Sequence, residues 1–329
     1  MLSLETPGSV RISIQCAMRN AGLLAFAIVG AALTSNPRPA APAGSVHAEM
    51  HNVVYHFSDS ASVHIVDLEG DLVPTDTKGI PIFDDANSFR LVIHSAEISI
   101  TSDALASTLN RYVFASPDAP LKKIHIATHG DKLSIRGLLH AKRDLPFEAE
   151  GSVTVTPEGD IRVHTEKVKA AHLPIKGLMD LLGANISKLI DTRKVQGLRA
   201  EKDDLILVAS QLFPPPHIEG RLSAIWLRGN EVVQQFGTSA RLGAHRSGNY
   251  MAYRGGQLRF GKLTMSDTDL ILIDMDPEDP FDFYLAHYQD QLVAGYTKST
   301  PSFGLRAYFR DYNKLVTRRD RRQQRRAVP

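Results

Sequence analysis

The sequence predicts an α+β fold: a curved antiparallel β-sheet meander wrapping two amphipathic helices, with a smaller β-rich C-terminal region. Three observations lead there. From Val53 to Phe260 apolar residues mostly alternate with polar ones, the period-two pattern of half-buried strands. Clusters of Gly, Asp, Asn and Pro interrupt that alternation at spacings that suit hairpins. Two segments abandon it for apolar residues three and four apart, the pattern of a one-faced helix.

Taken in chain order, the first helix is expected from Ser102 to Val113, where a Ser-Asp start precedes Leu105, Leu109 and Val113. Four hairpins then suggest themselves. Ile124–His129 meets Lys132–Gly137 across Gly130-Asp131, and Gly151–Thr156 meets Asp160–His164 across Pro157–Gly159. Gly197–Ala200 meets Leu205–Val208 across Lys202–Asp204, and Gly220–Trp226 meets Glu231–Gln234 across Arg228–Asn230. Antiparallel pairing is the simplest topology for such runs. The second helix is expected from Ile175 to Asp191, started by Pro174 and weakened at Gly183 by about 1 kcal/mol relative to alanine. Its stripe holds Ile175, Leu178, Met179, Leu182, Ile186, Leu189 and Ile190. Strand, helix and four strands thus occur twice, as two similar α+β halves. Beyond Gly237 the texture changes: a Gly/Ser/Arg-rich stretch at Arg241–Asn249 precedes two strand-like runs, Leu258–Met265 and Asp269–Asp274. The aromatic segment Phe281–Tyr296 fits either a strand or a helix.

At 329 residues, with 43% hydrophobic and 22% charged positions, the chain is long enough for one large or two modest cores. Its net charge of +2 is unevenly spread. The segment 317–329 holds six arginines against Asp320, and 1–48 holds Arg11, Arg19 and Arg38 against Glu5, which leaves an acidic body. That distribution argues against a nucleic-acid partner, whose contact surface is basic and lies on the folded part. The single cysteine, Cys16, precedes the folded body, so no disulfide framework, cysteine zinc site or thiol nucleophile is available there.

No Gly-x-Ser-x-Gly elbow, helical His-Glu-x-x-His or Gly-x-Gly-x-x-Gly turn occurs. His125 and His129, four apart on a strand, stand about 13 Å apart, too far for one metal ion. Gly256–Leu263 approaches a phosphate-binding loop, but Leu263 replaces the required hydroxyl. The acidic run Asp267–Asp282 lacks the glycine and terminal glutamate of a calcium loop and suits a turn through Pro277 and Pro280. No catalytic residue, metal ligand or cofactor site is therefore assigned.

Ala21–Leu33 is an apolar run of 13 residues behind Arg19, followed by the Pro/Ala-rich stretch 36–44. It is short for a bilayer span, which takes about 20 residues, and has the form of a secretory signal peptide. Met18 offers an alternative start, and Val46-His47-Ala48 a cleavage site before Glu49. An uncleaved anchor through 21–33 is the alternative. The expected organisation is a signal peptide or anchor over 1–48, an α+β domain over 49–237, a β-rich region over 238–316 and a disordered arginine-rich tail over 317–329. The body is expected outside the cytoplasm, in the periplasm or cell envelope. The tail either touches anionic headgroups or serves as a solubilising extension.

The order of elements in Phe89–Gly237 carries a resemblance. A strand runs into Ser102-Asp-Ala-Leu-Ala-Ser-Thr-Leu-Asn, paired hairpins follow, then His172-Leu-Pro-Ile-Lys-Gly-Leu-Met-Asp-Leu-Leu and the return Gly197-Leu-Arg-Ala-Glu-Lys-Asp-Asp-Leu-Ile-Leu. This is similar to LmeA-like exported bacterial proteins, which are associated with phospholipid binding in the cell envelope and related in fold to tubular lipid-binding domains. The resemblance covers about half of the chain and brings no catalytic motif. It implies a phospholipid or acyl chain held non-covalently in an apolar groove. The wall would be Leu178, Met179, Leu182, Ile186 and Leu189, facing Leu133, Ile135, Val153 and Val155. The same stripe is what a core helix needs to pack on a sheet, and periodicity does not separate the two. A structural or interaction protein of the envelope with an unknown protein partner is the second reading. A hydrolase with an unrecognised site is the third.

Overall fold

A computed structural model describes residues 44–76, 79–140, 144–170, 195, 197–208, 211, 215–237 and 248–315. All of them belong to one compact unit, Ala41–Pro329. The expected helix at 175–191, the apolar run at 21–33 and the arginine tail lie outside the described residues. None of the described helices is long and apolar enough to cross a membrane.

Three long strands form the spine: β1 (Val46–Ser58), β2 (Ala61–Pro74) and β3 (Phe89–Thr101). Their alternation buries Val46, Ala48, Met50 and Val53 from β1, and Leu68 and Leu72 from β2, beside Leu91, Ile93, Ile98 and Ile100 from β3. Thr101 caps α1 (Ser102–Thr108), its hydroxyl accepting from the Ala104 amide at 3.2 Å. Ser102 fixes the helix start from the other side, donating its hydroxyl to the Asn230 carbonyl at 2.7 Å. A π-helical turn, Leu109–Val113, completes the segment expected to be helical.

The four expected hairpins are present. β4 (Leu121–His129), β5 (Lys132–His140), β6 (Asp144–Val155) and β7 (Ile161–Ala170) run as an antiparallel meander. β8 (Leu198–Glu201) and β9 (Asp204–Leu207) complete this sheet in the order β4-β5-β6-β7-β9-β8. The chain then returns to the first sheet through β10 (His217–Glu219), β11 (Leu222–Arg228) and β12 (Glu231–Phe236). Gly237, at φ 63°, ends β12, and a Cβ there would stand 2.0 Å from the His94 carbonyl oxygen. Only glycine allows that approach.

The change of texture after Gly237 is not a break in the sheet. β13 (Tyr250–Arg254) pairs with β1, β16 (Asp269–Asp274) with β13, and β19 (Leu305–Phe309) with β16, while β18 (Tyr296–Ser299) forms the edge. β14 (Leu258–Phe260) and β15 (Leu263–Met265) make a small ribbon between them. The ambiguous aromatic segment divides: β17 (Phe281–Tyr284) is a strand and α2 (Tyr288–Val293) a helix. The resulting large sheet has the order β11-β12-β3-β2-β1-β13-β16-β19-β18. It is mostly antiparallel, with parallel pairings of β10 on β3, β17 on β1 and β19 on β16.

β1 changes neighbour along its length. His47–His51 pair with β13 and Val53–His56 with β17, and Asn52 between them has φ 52°. The amide of Asn52 holds this switch, donating to Asn249 at 2.8 Å and sharing a 2.9 Å hydrogen bond with His64. β1 also begins at Val46, and both Val46 and Ala48 are fully buried. The expected boundary between residues 48 and 49 therefore falls inside a core strand. One contiguous core joins the two sheets, with Ile100 and Val232 of the large sheet in the same cluster as Leu109, Ile124 and Leu133.

Candidate functional site

Between the sheets the core is not filled. A lower chamber of about 80 Å³ is bounded by Leu105 of α1 and Leu109 of the π-helical turn, by Ile126, Leu133, Ile135, Val153 and Val163 of the meander, and by Ile100 and Val232. That is several times the roughly 10–15 Å³ a single water needs. An upper chamber of about 60 Å³ lies on the inner face of β1–β3, under Phe83, Pro216, Ile218 and Tyr253. Neither lining, among the described residues, includes Asp, Glu, Lys, Arg or His.

The local sequence explains the lower chamber. Leu105 and Leu109, one helical turn apart, point to the same side of α1. β4 bulges at Lys123, where φ is 51° and the register with β5 shifts. The bulge leaves the Ile124 backbone without strand partners. Asn110 supplies them, donating to the Ile124 carbonyl at 2.7 Å and accepting from its amide at 2.8 Å. The π-helical turn positions Asn110 for both bonds, and Ile124 keeps its side chain in the chamber wall.

Four side chains with oxygen or nitrogen interrupt these apolar walls. Thr108, in the lower chamber, donates its hydroxyl to the Ala104 carbonyl at 2.8 Å. Gln234 also lines the lower chamber and is 3% exposed, but it turns no polar surface toward it. In the upper chamber Tyr55 and Tyr253 are without a described hydrogen-bond partner. Burial pushes both phenols well above their ordinary pKa, and the neighbouring Tyr55 raises Tyr253 further. Both are therefore neutral hydroxyls.

The residues expected to oppose the second helix fall together. Leu133, Ile135 and Val153 line the lower chamber, and Val155 packs against the same core. Leu178, Met179, Leu182, Ile186 and Leu189, the expected opposite wall, lie outside the described residues. The polar wall residues were not anticipated, although alternation carries the signal: Gln234 shares the buried parity of Val232 and Phe236, and Tyr55 that of Val53 and Phe57.

His125 and His129 lie on the exposed face of β4. Among the described residues, six other histidines share hydrogen bonds with carboxylates. His47 and His94 share the buried Asp71 at 3.2 and 2.7 Å, His51 meets Asp67 at 2.7 Å and His56 meets Asp282 at 2.5 Å. His140 and His164 pair with Asp144 and Asp204 at 2.7 and 2.6 Å.

The acidic run is more buried than a plain turn. Carboxylate oxygens of Asp274, Asp276 and Asp311 lie within 4.8 Å of one another. The Lys314 ammonium stands 2.9 Å from Asp311, 3.0 Å from Asp279 and 3.9 Å from Asp276, and Arg310 is 3.3 Å from Asp276. The chain thus supplies its own cations to this cluster. Burial pushes the Asp311 carboxyl up to about 6 against the pull of Lys314.

The chain matches no protein-family model, no curated protein and no solved structure.

Proposed function

We propose that this is an exported protein of the cell envelope that binds phospholipid or acyl chains non-covalently, with the two chambers as its groove. The observation that supports this most is the lower chamber. Its lining, among the described residues, is aliphatic and aromatic apart from Thr108 and Gln234, and it lies between a helix and an antiparallel sheet. In the finer architecture we propose, the sheets curve around α1 and the 175–191 helix, whose Leu178, Met179, Leu182, Ile186 and Leu189 add a second wall. Each methylene buried from water contributes about 0.8 kcal/mol, so a long chain is retained without a reaction centre. The likeness to LmeA-like proteins points the same way, as does the signal-like run at 21–33. The arginine tail adds contact with anionic headgroups, worth about 1 kcal/mol per residue near a charged surface.

The direct test is mass spectrometry of lipids extracted from natively purified protein. Stoichiometric lipid surviving gel filtration is the expected result. A folded protein that emerges empty and stays empty after incubation with phospholipid vesicles overturns the reading.

A further inference from the structure

Taking the chambers as an acyl-binding groove, we infer that their preferred occupant is an uncharged lipid ester, whose carbonyl oxygens accept hydrogen bonds from Tyr55 and Tyr253. The two chambers share no lining residue but are neighbours along β3. Ile98 lines the upper and Ile100 the lower, and two residues apart on one strand face is about 7 Å. A ligand spanning both chambers would meet apolar walls in the lower one and hydrogen-bonding groups in the upper one.

Those groups select the ligand's chemistry. Two phenols without a described partner offer O–H donors. A buried polar group left unpaired costs about 1–3 kcal/mol, so an occupant with carbonyl acceptors relieves a penalty that a hydrocarbon leaves in place. No cationic side chain lines either chamber among the described residues, so a carboxylate or phosphate drawn inside would be a buried, unpaired charge. A free fatty acid anion is disfavoured for that reason. A phospholipid fits only with its headgroup outside.

The experiment compares three probes on the full chain by native mass spectrometry and competition binding. These are a dioleoylglycerol, the corresponding dioleoyl phosphatidylglycerol, and squalene as an uncharged hydrocarbon. Wild type is expected to bind the diacylglycerol at least tenfold more tightly than squalene. In Tyr55→Phe/Tyr253→Phe that preference falls about tenfold while squalene affinity is unchanged. Thermal unfolding of the ligand-free variants guards against a folding defect. Removing hydroxyls without a described partner is expected to leave the midpoint unchanged or raised.

Equal binding of ester and hydrocarbon, or a preference untouched by the double variant, overturns the ester inference while leaving the acyl groove standing. Tighter binding of the phosphatidylglycerol, insensitive to both substitutions, does the same. Binding of none of the probes overturns both.

Discussion

Asp311 is fully buried, and burial, which disfavours the charge, pushes its carboxyl up from its ordinary 3.8 to about 6. The folded state therefore holds this proton more tightly than the unfolded chain. The resulting stabilisation is complete below about pH 3.8 and is lost as pH rises through about 6. Asp274, also raised by burial, acts in the same direction. Asp311→Asn keeps an oxygen for the Asp282 amide, which donates to Asp311 at 2.9 Å, and removes the titration. Thermal melts from pH 4 to 7 are expected to show a steeper fall for wild type than for this variant. Parallel profiles would show that Asp311 does not titrate there. Lys314→Met removes the opposing cation and is expected to move wild type's loss of stability to higher pH. A second residue-scale expectation concerns Asp71, 4% exposed and shared by His47 and His94. Asp71→Ala removes both hydrogen bonds at once and is expected to cost about 2–4 kcal/mol by urea denaturation. His94→Ala, which leaves His47 in place, should cost less.

Elements show where the sequence is legible and where it is not. The β4–β5, β6–β7, β8–β9 and β11–β12 hairpins can be read directly, because each is local: alternating runs flank a turn whose residues tolerate tight backbone geometry. α1 is legible for the same reason, its cap and its apolar stripe being neighbours in sequence. The bulge in β4 is not. Lys123 carries no glycine-like signal for its positive φ, and the group that compensates, Asn110, lies 14 residues upstream of Ile124. A mid-segment asparagine reads as a weak helix former until its partner is known. Asn110→Ala leaves both the Ile124 amide and carbonyl unpaired beside the lower chamber, and is expected to cost about 2–3 kcal/mol. Asn110→Asp, which keeps an acceptor for the amide and repels the carbonyl, should not rescue it. Hydrogen exchange at the Ile124 amide checks the cause, since its protection should fall in Asn110→Ala while that of β6–β7 is retained.

At the scale of the molecule, the illegible part is the pairing across long separations. Nothing local in Val46–Ser58 says that its first half will meet β13 and its second half β17; the switch rests on Asn52 finding Asn249. For that reason a cleavage point before Glu49 looked acceptable in the sequence, yet it would strip two fully buried residues, Val46 and Ala48, from the core. Under the proposed export, cleavage is therefore expected upstream, within the Pro/Ala-rich stretch 36–44. An exported chain whose intact mass begins at Glu49 would contradict that placement. The chambers belong to the same scale, since only the meeting of two sheets decides whether an apolar stripe is filled or leaves room. Ile135, in the lower chamber wall, separates these cases. Overpacking a filled core costs about 1–3 kcal/mol, whereas a larger ring entering an unfilled chamber gains contacts that the void lacked. Ile135→Phe is thus expected to leave the unfolding midpoint unchanged or raised, while lipid retained through gel filtration falls severalfold. Wild type, in turn, should gain about 2.7 kcal/mol of stability at a lipid concentration one hundred times its Kd, and the variant much less. A variant destabilised by 1–3 kcal/mol that still retains lipid would place the ligand elsewhere and the ring in a filled core.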